Sequence, residues 1–283
     1  MNSFSPFQHV EAHPIFVKRD DGSDKVHTAN AIVVKDAVGE FWLVFNSHVC
    51  SHRGDWNDFA GWGDKIFVYP SGLPLRPVEL PLFDDSVTPR KPLFKWATDR
   101  GHILDVCALK IPAEVFMRPL LLYGAIDLGA RPMSFAGNMA AAHCFAWPDT
   151  SSSWPPPVGH RVEGKQIDEI CVEMNEPLGH GYSGCPVFAR DSQFVGIIQG
   201  AIEKVCYLLP AKTIWQVLHD RPIEPFFDRP FLEGQRRMLR NNIIVTGHLL
   251  ANTATENLND TTGSTSIATN EDGTATPTLI ATV

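Results

Sequence analysis

The stretch Gly181-Tyr182-Ser183-Gly184-Cys185-Pro186-Val187-Phe188 sets a serine between two glycines and follows it with Cys-Pro and an apolar run. That pattern suits a backbone that turns tightly and then enters a strand. Glycine at 181 and 184 permits positive φ and lets a carbonyl group approach backbone N–H groups without meeting a Cβ. Oxyanion holes, which stabilise charge in acyl transfer, are built this way. A Gly-rich hairpin has the same letters, so the serine gains weight only from residues elsewhere.

Two upstream stretches supply such residues. The run Glu40-Phe41-Trp42-Leu43-Val44-Phe45 reads as a strand and ends in Asn46-Ser47-His48-Val49-Cys50-Ser51-His52. A histidine where a strand gives way to a loop is well sited for chemistry, because loops on a rigid sheet carry function. The alternative that His48, Cys50 and His52 bind zinc lacks a fourth donor and makes a poor loop geometry. Farther on, Ile103-Leu104-Asp105-Val106-Cys107-Ala108-Leu109-Lys110-Ile111 puts an aspartate at the head of an apolar strand. A carboxylate there is costly unless it is hydrogen-bonded or paired. Asp84, Asp85 and Asp99 lie in polar turn segments where solvation suffices, which leaves Asp105 as the candidate orienter of a histidine.

The elements that must position these residues read as strands. Ile15-Phe16-Val17, Ala31-Ile32-Val33-Val34-Lys35 and residues 40–45 are β-branched and aromatic runs separated by Asp-Asp-Gly and Val-Gly turn signals. Residues 55–100 alternate short apolar runs with Pro- and Gly-containing turns. Residues 113–126 read as a crossing between two halves. A second strand series follows at 131–137, 142–147, 167–172, 194–200 and 206–210, and a helix is predicted over about 211–219, with Ile214, Val217 and Leu218 on one face. Residues 151–157, rich in serine and proline, cannot enter a ladder.

The first 13 residues read as a loose arm and 221–250 as an extension that could pack onto the strands. From 251 the composition shifts to Thr, Ala, Asn, Asp and Gly without Lys or Arg. Such a tail cannot offset chain entropy by burial and is expected to be disordered.

Composition narrows the classes. A chain of 283 residues has ample length for a core, and its net charge of −8 argues against a general nucleic-acid binder, since Lys and Arg cluster only at Arg236-Arg237-Met238-Leu239-Arg240. The start of the chain lacks the pattern of a secretory signal, and no apolar run reaches the length of a membrane span. The expectation is a soluble, cytoplasmic protein without membrane or nucleic-acid partners. Its six cysteines have no paired spacing, which predicts free thiols rather than a disulfide framework.

Taken together, the three stretches resemble the trypsin-like (chymotrypsin-fold) serine proteases, and among them the disulfide-free bacterial and viral branches. Asn46-Ser47-His48-Val49 is similar to the T-N-x-H-V of glutamyl endopeptidases and heat-shock serine proteases. Asp105-Val106-Cys107-Ala108-Leu109-Lys110 is similar to their D-L-A-L-L-K strand, Gly181-Tyr182-Ser183-Gly184-Cys185-Pro186-Val187 to G-N-S-G-G-P-V, and Tyr207-Leu208-Leu209-Pro210 to an F-A-I-P end strand. The order His…Asp…Ser is that of the chymotrypsin arrangement, not the Ser…Asp…His of α/β-hydrolases. The likeness spans roughly 14–220. It departs from the family at Cys185, where a glycine is usual, and at Tyr182, where Asn or Asp is usual.

The resemblance implies an all-β fold of two six-stranded antiparallel Greek-key β-barrels, over 14–112 and 113–220, with a C-terminal helix. It implies a serine endopeptidase acting on polypeptides without metal or organic cofactor. Ser183 would attack, His48 would carry the proton, Asp105 would hold the imidazole, and the N–H groups of Gly181 and Ser183 would receive the oxyanion. A Cys185 nucleophile would miss the oxyanion register. The primary specificity pocket would be lined by Pro177 or Leu178 and by Ile198, Gln199, Gly200 and Ala201. None of these is acidic, and Ile198 stands where glutamyl endopeptidases carry a histidine, so an apolar preference is implied; Glu176 and His180 would alter it if turned inward. The alternative functions are a protease-fold binding or sensor protein, or a domain that processes only its own chain.

Overall fold

The computed structural model of the chain describes residues 12–18, 26–51, 57–68, 77–99, 102–111, 125–130, 132, 140–146, 158–167, 170–178, 181–189 and 193–223. The arm, the tail from 251, nearly all of 221–250, the loop 151–157, the expected strand over 131–137, His52 and His180 lie wholly or mostly outside these residues. The described residues fall within one compact unit, Met1–Met238, and form a mainly β structure. No helix among them is long and apolar enough to cross a membrane.

The first half holds β1 (His13–Lys18), β2 (Val26–Lys35), β3 (Phe41–Phe45), β4 (Lys65–Val68) and β5 (Val78–Pro81). Short pieces follow: β6 (Phe83–Asp84), β7 (Lys91–Pro92), β8 (Phe94–Lys95), β9 (Thr98–Asp99), β10 (His102–Ile103), β11 (Cys107–Lys110) and β12 (Ile126–Asp127). Eight of them form one sheet in the order β5-β4-β1-β2-β3-β11-β8, with β12 pairing β2, while β6–β7 and β9–β10 are separate ribbons. The pairing of β12 with β2 is parallel, Ile126 opposite Val34. The end of the expected crossing segment therefore belongs to the first sheet.

The second half holds β13 (Ala140–Ala146), β14 (Val158–Gln166), β15 (Cys171–Met174), β16 (Pro186–Ala189), β17 (Phe194–Ile202) and β18 (Val205–Pro210). These six close into a barrel, β13-β14-β15-β18-β17-β16. Sequence reading misses β14 because only Val162 shows as an apolar inward position. Two residues on, Gly164 lies so close to β15 that a Cβ there would stand 2.5 Å from the Glu173 carbonyl oxygen. Its outward residues Arg161, Glu163 and Lys165 are exposed.

Period-2 alternation divides the apolar residues among three cores. On β2, Ala29, Ala31 and Val33 face the interior of the first sheet with Leu43 and Phe45 of β3 and Cys107 and Leu109 of β11. The alternate residues Ile32, Val34, Trp42, Val44 and Ala108 face a second core shared with Phe188, Phe194, Ile197 and Leu209. The central strands are thus covered on both sides and read as near-continuous apolar runs. A third core, with Val172, Met174, Val187, Ile198 and Leu208, fills the barrel. Each fully buried aliphatic contributes about 1.5–3 kcal/mol.

Helix α1 (Ala211–Leu218) seals the shared core with Ala211, Ile214, Val217 and Leu218. The Lys95 ammonium donates to the carbonyl of Leu218 at 2.6 Å. This tie holds the helix end against β8.

Candidate active site

Antiparallel pairing of β3 with β11 puts Phe45 opposite Cys107. The chain leaving β3 therefore meets the chain entering β11, and His48 meets Asp105. His48 sits in a single 3-10 turn, Ser47–Cys50. Asn46 and Ser47 are fully buried; Asn46 Nδ2 donates to the carbonyl of Asp105 at 3.2 Å and to its Oδ2 at 3.4 Å, and Ser47 Oγ donates to the carbonyl of Leu104 at 3.2 Å.

Asp105 is 1 % exposed, so its carboxylate depends on these partners. The backbone N–H of His48 donates to Oδ1 at 2.8 Å, and the imidazole Nδ1 stands 2.9 Å from Oδ2. With Nδ1–H donating to a carboxylate, Nε2 is left as an acceptor. Ser183 Oγ lies 3.0 Å from that nitrogen. Burial works against a charge on His48, yet the negative charge of Asp105 and its hydrogen bond outweigh this and hold the imidazole pKa above its ordinary 6.5.

Ser183 comes from the turn that enters β16. Gly181 and Gly184 there have φ of +95° and +81°, values that glycine adopts without a steric penalty. Cys185 N–H donates to Tyr182 O at 3.1 Å to close the turn, and Gly184 N–H donates to Ile198 O at 2.7 Å to tie it to β17. At position 184 there is also no room, since a Cβ would lie 1.8 Å from the carbonyl oxygen of Asn30 on β2. Among the described residues, the N–H groups of Gly181 and Ser183 donate no hydrogen bond. An imidazole hydrogen-bonded to a serine hydroxyl can deprotonate it, and two backbone donors beside that hydroxyl can receive the negative charge on an attacked carbonyl.

The structure brings His48, Asp105, Gly181 and Ser183 together. It places the residues expected to line the pocket in different settings. Leu178 and Ile198 are buried in the barrel core, with Tyr182 and Ala201 packed against it. Pro177 is exposed, while Gly200 and Ala201 are half-buried. Gln199 is buried, and its carbonyl lies 3.5 Å from Ser183 Oγ. Glu176 pairs at 3.1 Å with His160 Nε2, and His160 Nδ1 is 2.8 Å from the Tyr182 hydroxyl.

Cys185 is fully buried in the barrel core. Cys50 packs in the first-sheet core with Cys107, and burial, with the Cys50 thiol beside it, pushes the Cys107 thiol pKa up. His48 and Cys50 are thus turned to different surroundings, one to Asp105 and Ser183, the other to the core. The cysteines at 50, 107, 171, 185 and 206 are free thiols.

Asn30 and Asn46 are residues the sequence reading passes over. Both are fully buried, and both sit in or beside apolar runs, where the reasoning that singles out Asp105 applies equally.

Compared with known proteins, the chain matches no protein-family model and no curated protein.

Proposed function

We propose that the protein is a chymotrypsin-like serine endopeptidase that works through an acyl-enzyme. The reading is carried by one observation: groups from three separate segments form a single hydrogen-bonded line, Asp105 Oδ2 to His48 Nδ1 at 2.9 Å and His48 Nε2 to Ser183 Oγ at 3.0 Å. Ser183 Oγ attacks the scissile carbonyl carbon as its proton passes to His48 Nε2. The negative oxygen that forms is held by the N–H groups of Gly181 and Ser183. Collapse breaks the C–N bond, and the imidazolium returns the proton to the departing amine. Water, deprotonated by the same imidazole, then cleaves the ester and restores Ser183. Asp105 keeps the tautomer and stabilises the imidazolium throughout.

The architecture is read in the same way. The closed six-stranded barrel and the first sheet correspond to the two barrels of that class, with Ser183 supplied by one and His48 and Asp105 by the other. The preferred substrate is a polypeptide with an apolar residue before the cleaved bond. This follows from the resemblance, since no acidic residue stands among Pro177, Leu178, Ile198, Gln199, Gly200 and Ala201, and from the Glu176 carboxylate being engaged by His160.

The test is labelling of the full chain with a fluorophosphonate. Labelling of wild type and loss of it in Ser183→Ala supports the reading. Equal labelling of both proteins, or none of either under any condition, overturns it.

A further inference from the structure

The turn that carries Ser183 belongs to the barrel, yet it is held by a strand of the first sheet. Asn30 is fully exposed to protein on every side, with 0 % solvent exposure, in the middle of β2. Its backbone N–H donates to the carbonyl of Ser183 at 2.7 Å. Its side-chain Nδ2 donates to the carbonyl of Gly181 at 2.6 Å. Its own carbonyl oxygen occupies the space that any Cβ at position 184 would need, 1.8 Å away. One residue therefore fixes three points of a four-residue turn.

Apart from Asn30, the backbone bonds of this turn act at its far end, from Gly184 to Ile198 and from Cys185 to Tyr182, and none of them holds the carbonyl of Gly181. Glycine at positive φ occupies a broad basin, and no side chain at 181 or 184 limits its rotation. The peptide that carries the N–H of Ser183 lies between two peptides whose carbonyls Asn30 holds. A trans peptide plane is rigid, so holding the flanking planes restricts the one between them. The backbone bond from Asn30 is available to any residue type at that position. The Nδ2 bond is not, because it requires a short side chain ending in a donor.

We propose that Asn30 is a positioning residue, whose side-chain amide holds the Gly181 carbonyl and thereby sets the direction of the backbone donors around Ser183. This rests on the reading of Ser183 as the nucleophile. Asn30 touches no reacting atom; it acts through the turn. Donors aimed at a developing charge lose their effect when displaced by about 1 Å, at a cost of about 100-fold in rate. Asn30→Ala keeps the backbone bond and deletes the side-chain donor. Asn30→Asp keeps the shape and sets an oxygen against an oxygen.

The full-length wild type, Asn30→Ala and Asn30→Asp are compared for kcat and KM on a peptide substrate and for inhibition by a peptidyl trifluoromethyl ketone. The ketone forms a tetrahedral adduct whose oxyanion requires the same donors. The expected result is a fall in kcat of about 100-fold with KM within twofold, an equal weakening of the ketone, and an unchanged acidic limb of the pH profile, since the bonds that Asn30 makes to the turn run to the carbonyls of Gly181 and Ser183 and not to the imidazole. A folded alanine variant with kcat within threefold of wild type, or a loss confined to KM, overturns the proposal. If neither variant folds, the wild type decides: a scalar coupling across the hydrogen bond from the Asn30 side-chain nitrogen to the Gly181 carbonyl carbon is expected in isotope-labelled protein, and its absence overturns the proposal. Failure of the proteolytic reading looks different. Wild type then takes no fluorophosphonate; displaced Gly181 and Ser183 amide resonances in Asn30→Ala support the brace, while unmoved resonances overturn it too.

Discussion

Asp105 accepts from His48 twice, once from the backbone N–H through Oδ1 at 2.8 Å and once from the imidazole through Oδ2 at 2.9 Å. The carboxylate therefore fixes both where the histidine's backbone sits and which way its ring faces. Replacing it affects position and tautomer together.

Asp105→Asn is expected to lower kcat for peptide hydrolysis by about 10⁴-fold. The amide can present its N–H₂ to Nδ1, which moves the imidazole proton to Nε2 and removes the acceptor for Ser183. Steady-state kinetics with active-site titration checks this. Turnover within tenfold of wild type would show that Asp105 does not orient His48.

The pH dependence follows from His48. The imidazole must be neutral to accept a proton, and its pKa lies above 6.5 because the Asp105 charge and hydrogen bond outweigh burial. The profile of kcat/KM should therefore fall on the acid side with a midpoint above 6.5. In Asp105→Asn the residual activity should show this limb at lower pH. A wild-type midpoint below 6 would contradict the arrangement.

His13 drives stability in the opposite sense. It is buried, and burial lowers its pKa from 6.5 to about 4. Between those values the unfolded chain binds a proton that the folded chain refuses, so stability is lost as pH falls from 6.5 toward 4, by about 3 kcal/mol in total. His48, with its raised pKa, instead contributes stability that is present at low pH and lost as pH rises through its folded value. Urea unfolding of wild type and His13→Gln between pH 7 and 4 separates the two. The variant should show a shallower loss in acid, and parallel curves would mean that His13 is not the titrating group.

Gly184→Ala combines a strained φ of +81° with a contact of 1.8 Å to the backbone of Asn30. The expected cost is about 3 kcal/mol or more, with β2 and the Ser183 turn forced apart. Thermal melts and fluorophosphonate labelling of the same samples read both effects. A stable, fully labelled variant would mean that the turn is not seated on β2.

An apolar primary pocket, as proposed, predicts cleavage after apolar residues. A mixed peptide library digested with the protein should give sites dominated by them, because Arg or Lys would leave a cation without a partner. Dominant cleavage after Arg, Lys, Asp or Glu would reject this pocket while leaving the Ser183 chemistry intact.

Much of the site was legible because its residues stand at strand ends with recognisable neighbours. A His after Trp42-Leu43-Val44-Phe45, an Asp before Val106-Cys107-Ala108-Leu109 and a Ser between glycines each break an apolar pattern at a place where a side chain can reach out. Strands with apolar residues on both faces, such as β2 and β3, were equally plain, and so was α1. β14 was hidden, since a strand whose inward positions include Gly164 offers too few apolar letters to show its period. The role of Asn30 was hidden for another reason. A single asparagine in a run of Ala, Ile and Val reveals that it must find a partner, but the partner Gly181 lies 151 residues farther along the chain, and no local spacing encodes such a distance. The packing of Leu178 and Ile198 into the barrel core is likewise set by the pairing of strands far apart in the chain.

The division of labour between the two halves also has a consequence for the order of synthesis. His48 and Asp105 lie on the part of the chain made first, and Ser183 is 78 residues after Asp105. At cellular translation rates that interval is on the order of ten seconds. A nascent chain can thus form the β3–β11 pairing, with the histidine already gripped by its aspartate, well before the serine exists. The last part to arrive must dock on β2 to find its hydroxyl an acceptor, so the proton line closes only when the whole barrel has emerged. Until then the growing polypeptide holds the His48–Asp105 pair without its third member.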